Sequence, residues 1–285
     1  MQRILLCVDD SSFARSSCVL AAWFATRLRA GVDVLCVTGE HRQTATRDYS
    51  GSIGLGASET LLKQLVKLEH EKAQLEYQRS KLILEEAREV LASQEVEHIQ
   101  LINETGNFVD HFQKIEPQVD LVILGKRGES SELVFEHLGS NVERIVRLSH
   151  KPCLVASQQT KSIARLLLAY DGSESCQKML HFLISSPAFQ GLELHIVTVA
   201  TQDEDATAHA HLEKARKIAY EAGFMPICQQ LTGNSEEEIA GYSEKRNIDL
   251  LMMGAYGHSR IRHLVIGSTT SQLLRSSHIP VLVFR

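Results

Sequence analysis

Apolar residues in this chain fall in short, nearly unbroken runs, separated by longer stretches with helical spacing. The runs read at about 3–8, 32–37, 97–102, 119–124 and 152–156, and again at about 163–169, 191–199, 225–231, 248–253 and 279–284. Runs without polar alternation are those of strands covered on both faces. Between them, Ser12–Arg29, Ser173–Ser185, His209–Ala222 and Ser235–Lys245 carry helical patterns. Regular alternation of strand and helix predicts an α/β fold: parallel sheets, helices on both faces and right-handed crossovers.

The pattern repeats. Leu5-Leu6-Cys7-Val8-Asp9-Asp10-Ser11 answers Leu167-Leu168-Ala169-Tyr170-Asp171-Gly172-Ser173, and Thr105-Gly106-Asn107 answers Thr232-Gly233-Asn234. Asp120–Gly125 answers Asp249–Gly254, Gly139-Ser140 answers Gly267-Ser268, and the run after Lys151 answers the run after His278. Ordered agreement of this kind marks an internal duplication. Two domains are expected, 1–157 and 162–285, joined by the polar tract Ser157–Ser162.

The densest chemistry lies near the end of the second copy. The apolar run Asp249–Met253 leads into Gly254-Ala255-Tyr256-Gly257, then nine residues, then Gly267-Ser268 and a helical segment, Thr269–Arg275. Strand, glycine loop and helix start make an anion site. Glycine lets the backbone approach a phosphate, and free N–H groups at a helix start favour negative charge. Ser268 is expected to add a hydroxyl donor or to cap the helix. The intervening residues include the basic side chains His258, Arg260, Arg262 and His263.

The spacing G-x2-G-x9-G-S after a strand resembles the nucleotide signature of the universal stress protein family. The resemblance extends through Ile279–Phe284 and back to Leu167–Ser173. It implies two tandem domains, each a five-stranded parallel sheet of order 3-2-1-4-5, with the last strand of one domain pairing with its counterpart. It also implies an adenine nucleotide, ATP or another such as AMP, with or without Mg. Asp171 would meet the base, which Ala169 and Val199 would line. Met253, Gly254, Gly257, His258, Arg260, Gly267, Ser268 and Thr269 complete the implied site. The first copy offers a secondary set: Asp9, Val37, Gly125, Gly128, Gly139 and Ser140. There the loop from Gly128 to Gly139 is one residue longer. It carries Glu129, Glu132 and Glu136, which oppose a phosphate, partly offset by Lys126 and Arg127. Read without the resemblance, Asp171 is a turn-capping residue and Ala169 and Val199 are strand core.

Catalytic patterns are sparse. No G-x-x-x-x-G-K-[ST] or G-x-S-x-G occurs, which excludes a P-loop enzyme and a nucleophile elbow at the motif level. The adenylyl-transfer signatures of similar folds are absent as well. His209-Ala210-His211 would point its rings to different sides of a helix, a poor metal seat. The expected function is a nucleotide-dependent stress-response protein acting through conformation or an unidentified protein partner. A slow ATPase or phosphotransferase using His258 and Arg260 stays open, as does a scaffold with a vestigial site.

Composition narrows the setting. A hydrophobic share of 44%, a charged share of 23% and a net charge of −5 describe a globular chain without a broad basic field for nucleic acid or membrane. Cys7, Cys18, Cys36, Cys153, Cys176 and Cys228 form no C-x-x-C pair and read as small buried residues in a reducing compartment. A cytoplasmic protein is expected. The copies differ most between their second and third strands. There the first copy has the glycine-rich Gly51–Gly56, then a long helical run, Ala57–Ser93, with Leu61, Leu65, Leu68, Leu75 and Leu82 near a 3-4 spacing. Packing of that stripe on its own sheet is the plainer reading. A partner helix or a homodimer contact is the alternative, although Lys72 and Arg79 interrupt the stripe.

Overall fold

The structure, a computed structural model, describes residues 3–39, 55–126, 128, 138–159, 161–202, 205–255 and 267–285. The first half runs β1 (Arg3–Cys7), α1 (Ala14–Leu28), β2 (Gly31–Thr38), α2 (Leu55–Ser93), β3 (Ile99–Thr105), α3 (Phe108–Ile115), β4 (Leu121–Gly125), α4 (Ser140–Leu148) and β5 (Cys153–Ala156). The second repeats it: β6 (Arg165–Ala169), α5 (Glu174–Ser185), β7 (Glu193–Ala200), α6 (Ala206–Glu221), β8 (Ile227–Thr232), α7 (Ser235–Lys245), β9 (Leu250–Gly254), α8 (Ser268–Ser276) and β10 (Val281–Phe284).

Successive side chains on a strand point to opposite faces, so each unbroken apolar run feeds two cores. Ile4 and Leu6 join one core; Leu5 and Cys7 join the other. The first core is roofed by α1, the end of α2, α5 and α6, through residues such as Phe24, Leu91, Met179 and Ala215. The second lies under α3, α4, α7 and α8, through Phe112, Ile145, Tyr242 and Leu273.

Each half has the order 3-2-1-4-5, all parallel, yet the halves are not two separate sheets. They form one ten-stranded sheet, β3-β2-β1-β4-β5-β10-β9-β6-β7-β8. The join is antiparallel, with Val281 opposite Val155, Leu282 opposite Leu154 and Val283 opposite Cys153. Both cores run through this seam without a break. Other groups stitch it. Phe24 and Phe189 meet edge to face at 5.8 Å, and Arg27 donates to the carbonyls of Ala188 (2.5 Å) and Gln190 (2.6 Å). Arg285 donates to the Arg147 carbonyl at 2.9 Å.

Thr-Gly-Asn, seen in the sequence only as a repeat, has a shared job. Gly106 and Gly233 adopt φ of 121° and 139°, values that side-chain-bearing residues rarely adopt. Asn107 and Asn234 then cap α3 and α7, each side chain accepting from two backbone N–H groups of the first turn.

The leucine stripe of α2 does not pack on its own sheet. The sheet-facing residues of that helix are Ser80, Leu84, Ala87 and Leu91, all buried. Leu82 and Leu84 lie about 200° apart around the helix, so the stripe faces away. Gly51–Gly54 lie outside the described residues.

Candidate functional site

The two halves of the repeat place matched sets of the singled-out residues at the carboxyl ends of the strands. In the second half, β6 leads to α5 on one face and β9 leads to α8 on the other, and the two strands are neighbours. Ala169 pairs with Met253 in register, and Ala169 pairs with Val197 on the other side. Open α/β sheets bind ligands where adjacent strands send their connections to opposite faces. Both Ala169 and Met253 are buried, and Val199 is half-buried one turn of the pleat beyond Val197.

Asp171 stands just past the end of β6, half-buried. One carboxylate oxygen accepts from the Ser173 N–H at 2.8 Å. It therefore does the turn-capping that its residue type suggests. Ser173 in turn caps α5, its hydroxyl accepting from the Cys176 N–H at 3.4 Å. Gly172 has φ +78°, and the imidazole of His211, on α6, lies flat against it. A Cβ built on Gly172 would sit 2.6 Å from ring atoms. His211, read in the sequence as half of an unpromising metal pair, thus covers the turn that holds Asp171.

The glycine loop is anchored at its base. The Gly267 N–H donates to the Ala255 carbonyl at 3.2 Å, and the Ala255 N–H donates to the Phe284 carbonyl at 2.8 Å. Gly267, not Ser268, is the N-cap of α8; Ser268 is the first helical residue and is exposed. The capping role expected for Ser268 is therefore corrected: the cap position must be extended, and the glycine takes it. The first intrahelical bond runs from Ser271 N–H to the Gly267 carbonyl, which leaves the first-turn N–H groups of Ser268 and Thr269 directed out of the helix start. Thr270, not singled out in the sequence, is buried and donates its hydroxyl to the Gly254 carbonyl at 3.1 Å. That bond ties the helix start to the strand end.

Gly254 has a reason of its own. A Cβ there would meet the Ser175 hydroxyl oxygen at 2.3 Å and the Cys176 N at 2.9 Å. Its bareness lets α5 close onto β9. Cys176 is tucked beneath, its thiol donating to the Ala169 carbonyl at 3.4 Å. Burial first, then the nearby Asp171 charge, pushes that thiol up to about 12, so it is no nucleophile at neutral pH. Tyr170, between Ala169 and Asp171, is buried, and its hydroxyl has no partner among the described residues. Gly257, His258 and Arg260 lie outside the described residues.

The first-half set is built alike but partnered differently. Asp9 accepts from the Ser11 N–H at 3.2 Å, and its other oxygen lies against Gly128, 2.9 Å from where a Cβ would be. Two of the sequence-singled residues are thus brought together. The Gly139 N–H donates to the Lys126 carbonyl at 3.2 Å, the counterpart of the Gly267 bond. Gly125 ends β4, Gly139 caps α4, Ser140 begins it, and Val37 is half-buried in β2. Asp10 stands where the second half has Gly172, and Arg79 of α2 ion-pairs with it. An arginine thus bridges the turn that His211 covers in the other half. Lys126 was expected to offset the loop's glutamates. Its Nζ donates to the Ser277 carbonyl across the seam at 3.0 Å, and the side chain is buried. Glu129, Glu132, Glu136 and Arg127 lie outside the described residues.

Among the described residues, no group of three or more His, Cys, Asp or Glu stands close enough to hold a metal ion. Nor does any described helix have the length and apolarity to cross a membrane.

Comparison with known proteins gives a consistent picture. The sequence model of the universal stress protein family matches this chain twice, over residues 1–157 and 163–285. The universal stress protein Slr1230 of Synechocystis sp. is 50% identical over 287 residues, covering all of both chains. In three dimensions the chain is similar to a universal stress protein from Archaeoglobus fulgidus, with a TM-score of 0.72, 21% identity, and coverage of 99% of this chain and 98% of that one. It is also similar to protein PA1789 of Pseudomonas aeruginosa, with a TM-score of 0.64 and 15% identity over 100% of this chain and 92% of that one.

Proposed function

The chain belongs to the universal stress protein family, and on that premise we propose that its second half binds an adenine nucleotide and signals through conformation or a protein partner. One observation carries the reading. Asp171 and the glycine-capped start of α8 flank the carboxyl ends of the same two neighbouring strands, β6 and β9, with Ala169 and Met253 paired between them.

Each part has a chemical role. The second oxygen of Asp171 accepts from an exocyclic amine, which adenine carries. Ala169, Val199 and Met253 supply an apolar wall for the base. The first-turn N–H groups at Ser268 and Thr269 meet phosphate oxygens, favoured by the helix dipole. Gly257, His258 and Arg260 lie between Ala255 and Gly267 in the sequence, and the two basic side chains suit a polyphosphate. ATP fits this division better than AMP, with Mg²⁺ accompanying the phosphates. The first half is the secondary site, since its loop carries Glu129, Glu132 and Glu136 in the sequence and Arg79 spans its turn.

A ligand at 100 times its Kd stabilises the folded chain by about 2.7 kcal/mol. A thermal-shift titration with ATP, AMP and GTP is therefore expected to raise the melting temperature for the adenine nucleotides. Asp171→Ala and Gly257→Val should each remove most of that rise. No rise in the wild-type chain would overturn the proposal; an unchanged rise in both variants would move the site elsewhere.

A further inference from the structure

We propose that α2 pairs with α2 of a second copy of this chain, forming a short two-stranded parallel coiled coil that projects from the body. The helix is 39 residues long, far beyond what its sheet uses. Every described side chain from Leu61 to Leu75 is exposed, so the leucines of this part of the helix pack on no other element among the described residues. Within it Leu61, Leu68, Leu75 and Leu82 recur at every seventh position, with 43%, 60%, 66% and 66% of their surface exposed. Leu65 falls at the intervening core position and is 48% exposed.

Leucine at successive d positions is the pattern of a two-stranded coiled coil. A surface helix that serves its own sheet shows one apolar face. This helix shows two, because Ser80, Leu84, Ala87 and Leu91 form the buried one. The second face fits an occupant with the same seven-residue repeat, and α2 itself has it. In a parallel, in-register pair, leucine meets leucine in five layers, at Leu61, Leu65, Leu68, Leu75 and Leu82. The basic residues that interrupt the stripe are also accounted for. Each copy's Lys72, at an a position, comes beside the other copy's Glu71 at g; within one copy Lys72 already reaches Glu76 at 3.5 Å. A lysine at a costs stability but disfavours higher assemblies. Arg79, the next a position, is drawn aside to Asp10 on the body.

The size of the contact sets its strength. From Leu61 to Leu82 the helix is about 33 Å long and about 10 Å wide. Pairing removes on the order of 1,000 Å² of surface from water over both copies, near the lower edge of stable interfaces. The dimer is therefore expected to dissociate on dilution through the micromolar range.

Sedimentation velocity of the full chain between about 1 and 100 µM, the range a contact of this size calls for, should show a monomer passing to a dimer. Leu68→Glu combined with Leu75→Glu should hold the chain monomeric throughout, with an unchanged circular dichroism spectrum because neither residue packs on the body. Leu68→Cys should give a disulfide-linked dimer under mild oxidation, since d positions face each other in a parallel pair. A monomeric wild-type chain at the highest concentration would overturn the proposal. So would a dimer that survives the double glutamate substitution, or a dimer that the cysteine variant fails to link.

Discussion

Single residues in the candidate site are chosen as much by what they must leave empty as by what they contribute. Gly254 is the clearest case. Read as sequence it belongs to a phosphate loop, but its Cβ position is already filled by Ser175 and Cys176 of α5. Gly254→Ala should destabilise the fold by about 1–3 kcal/mol, the usual cost of overpacking. A urea titration checks this without nucleotide, which separates packing from binding. Tyr170 presents the opposite situation. Its buried hydroxyl lacks a partner among the described residues, and leaving such a group unpaired costs about 1–3 kcal/mol. Tyr170→Phe should raise the urea midpoint. Should the hydroxyl serve a residue in the neighbouring loop, the midpoint would fall instead. Neither feature was legible in the sequence. A glycine's reason lies in the distant helix that approaches it, and an unmet hydroxyl is defined by its surroundings.

Secondary-structure elements were more legible. The strands and helices were visible because unbroken apolar runs and 3.6-residue periods are local properties, and α7 spans the residues its pattern indicates. The long helix shows where that legibility stops. Its leucine stripe was plain, but periodicity identifies a stripe without saying what it faces. Only the buried set at Ser80, Leu84, Ala87 and Leu91 turns it outward. Lys126 adds a contact that its sequence neighbours do not announce, a hydrogen bond to the Ser277 carbonyl across the seam.

At the amino end of its strand, away from the candidate site, β7 carries a network in which His195 and Tyr242 are buried and Glu193 is exposed. Glu193, acceptor-only when ionised, takes a hydrogen bond from His195 Nε2 at 2.7 Å, so Nδ1 accepts from the Tyr242 hydroxyl at 2.8 Å. The hydrogen bond from His195 is the main cause that holds the Glu193 carboxyl below its usual value of 4.5, against a smaller opposing effect of desolvation and with help from the nearby Arg165 and Arg246 guanidinium groups. A carboxylate with a lowered folded-state pKa adds stability above its unfolded value and loses it as pH falls through the folded one. Glu193→Gln should therefore be less stable than wild type at neutral pH. The gap in urea midpoint should close on acidification below about 4.5.

For the molecule as a whole, the decisive feature is one sheet shared by two halves. Both cores pass through the β5–β10 seam, and Phe24, Phe182, Phe189 and Phe284 form a chain of ring contacts there. Unfolding should accordingly be a single cooperative transition. The sole tryptophan, Trp23, packs edge to face on Phe24 with centroids 4.8 Å apart, so its fluorescence reports the first half beside the seam. Denaturant curves from fluorescence and from far-ultraviolet circular dichroism should coincide. A separated second step would show that one half stands alone.

Joining the halves by covalent linkage has a further effect on their history. Two identical subunits that meet edge to edge change together whenever their one gene changes. Here each half keeps a permanent neighbour whose sequence can drift on its own, because the union no longer depends on encounter or concentration. An aspartate could replace a glycine at one turn, and an arginine a histidine above it, while the opposite half stayed as it was. Asymmetry of this sort is inherited intact by every copy of the molecule, in a fixed ratio of one site of each kind.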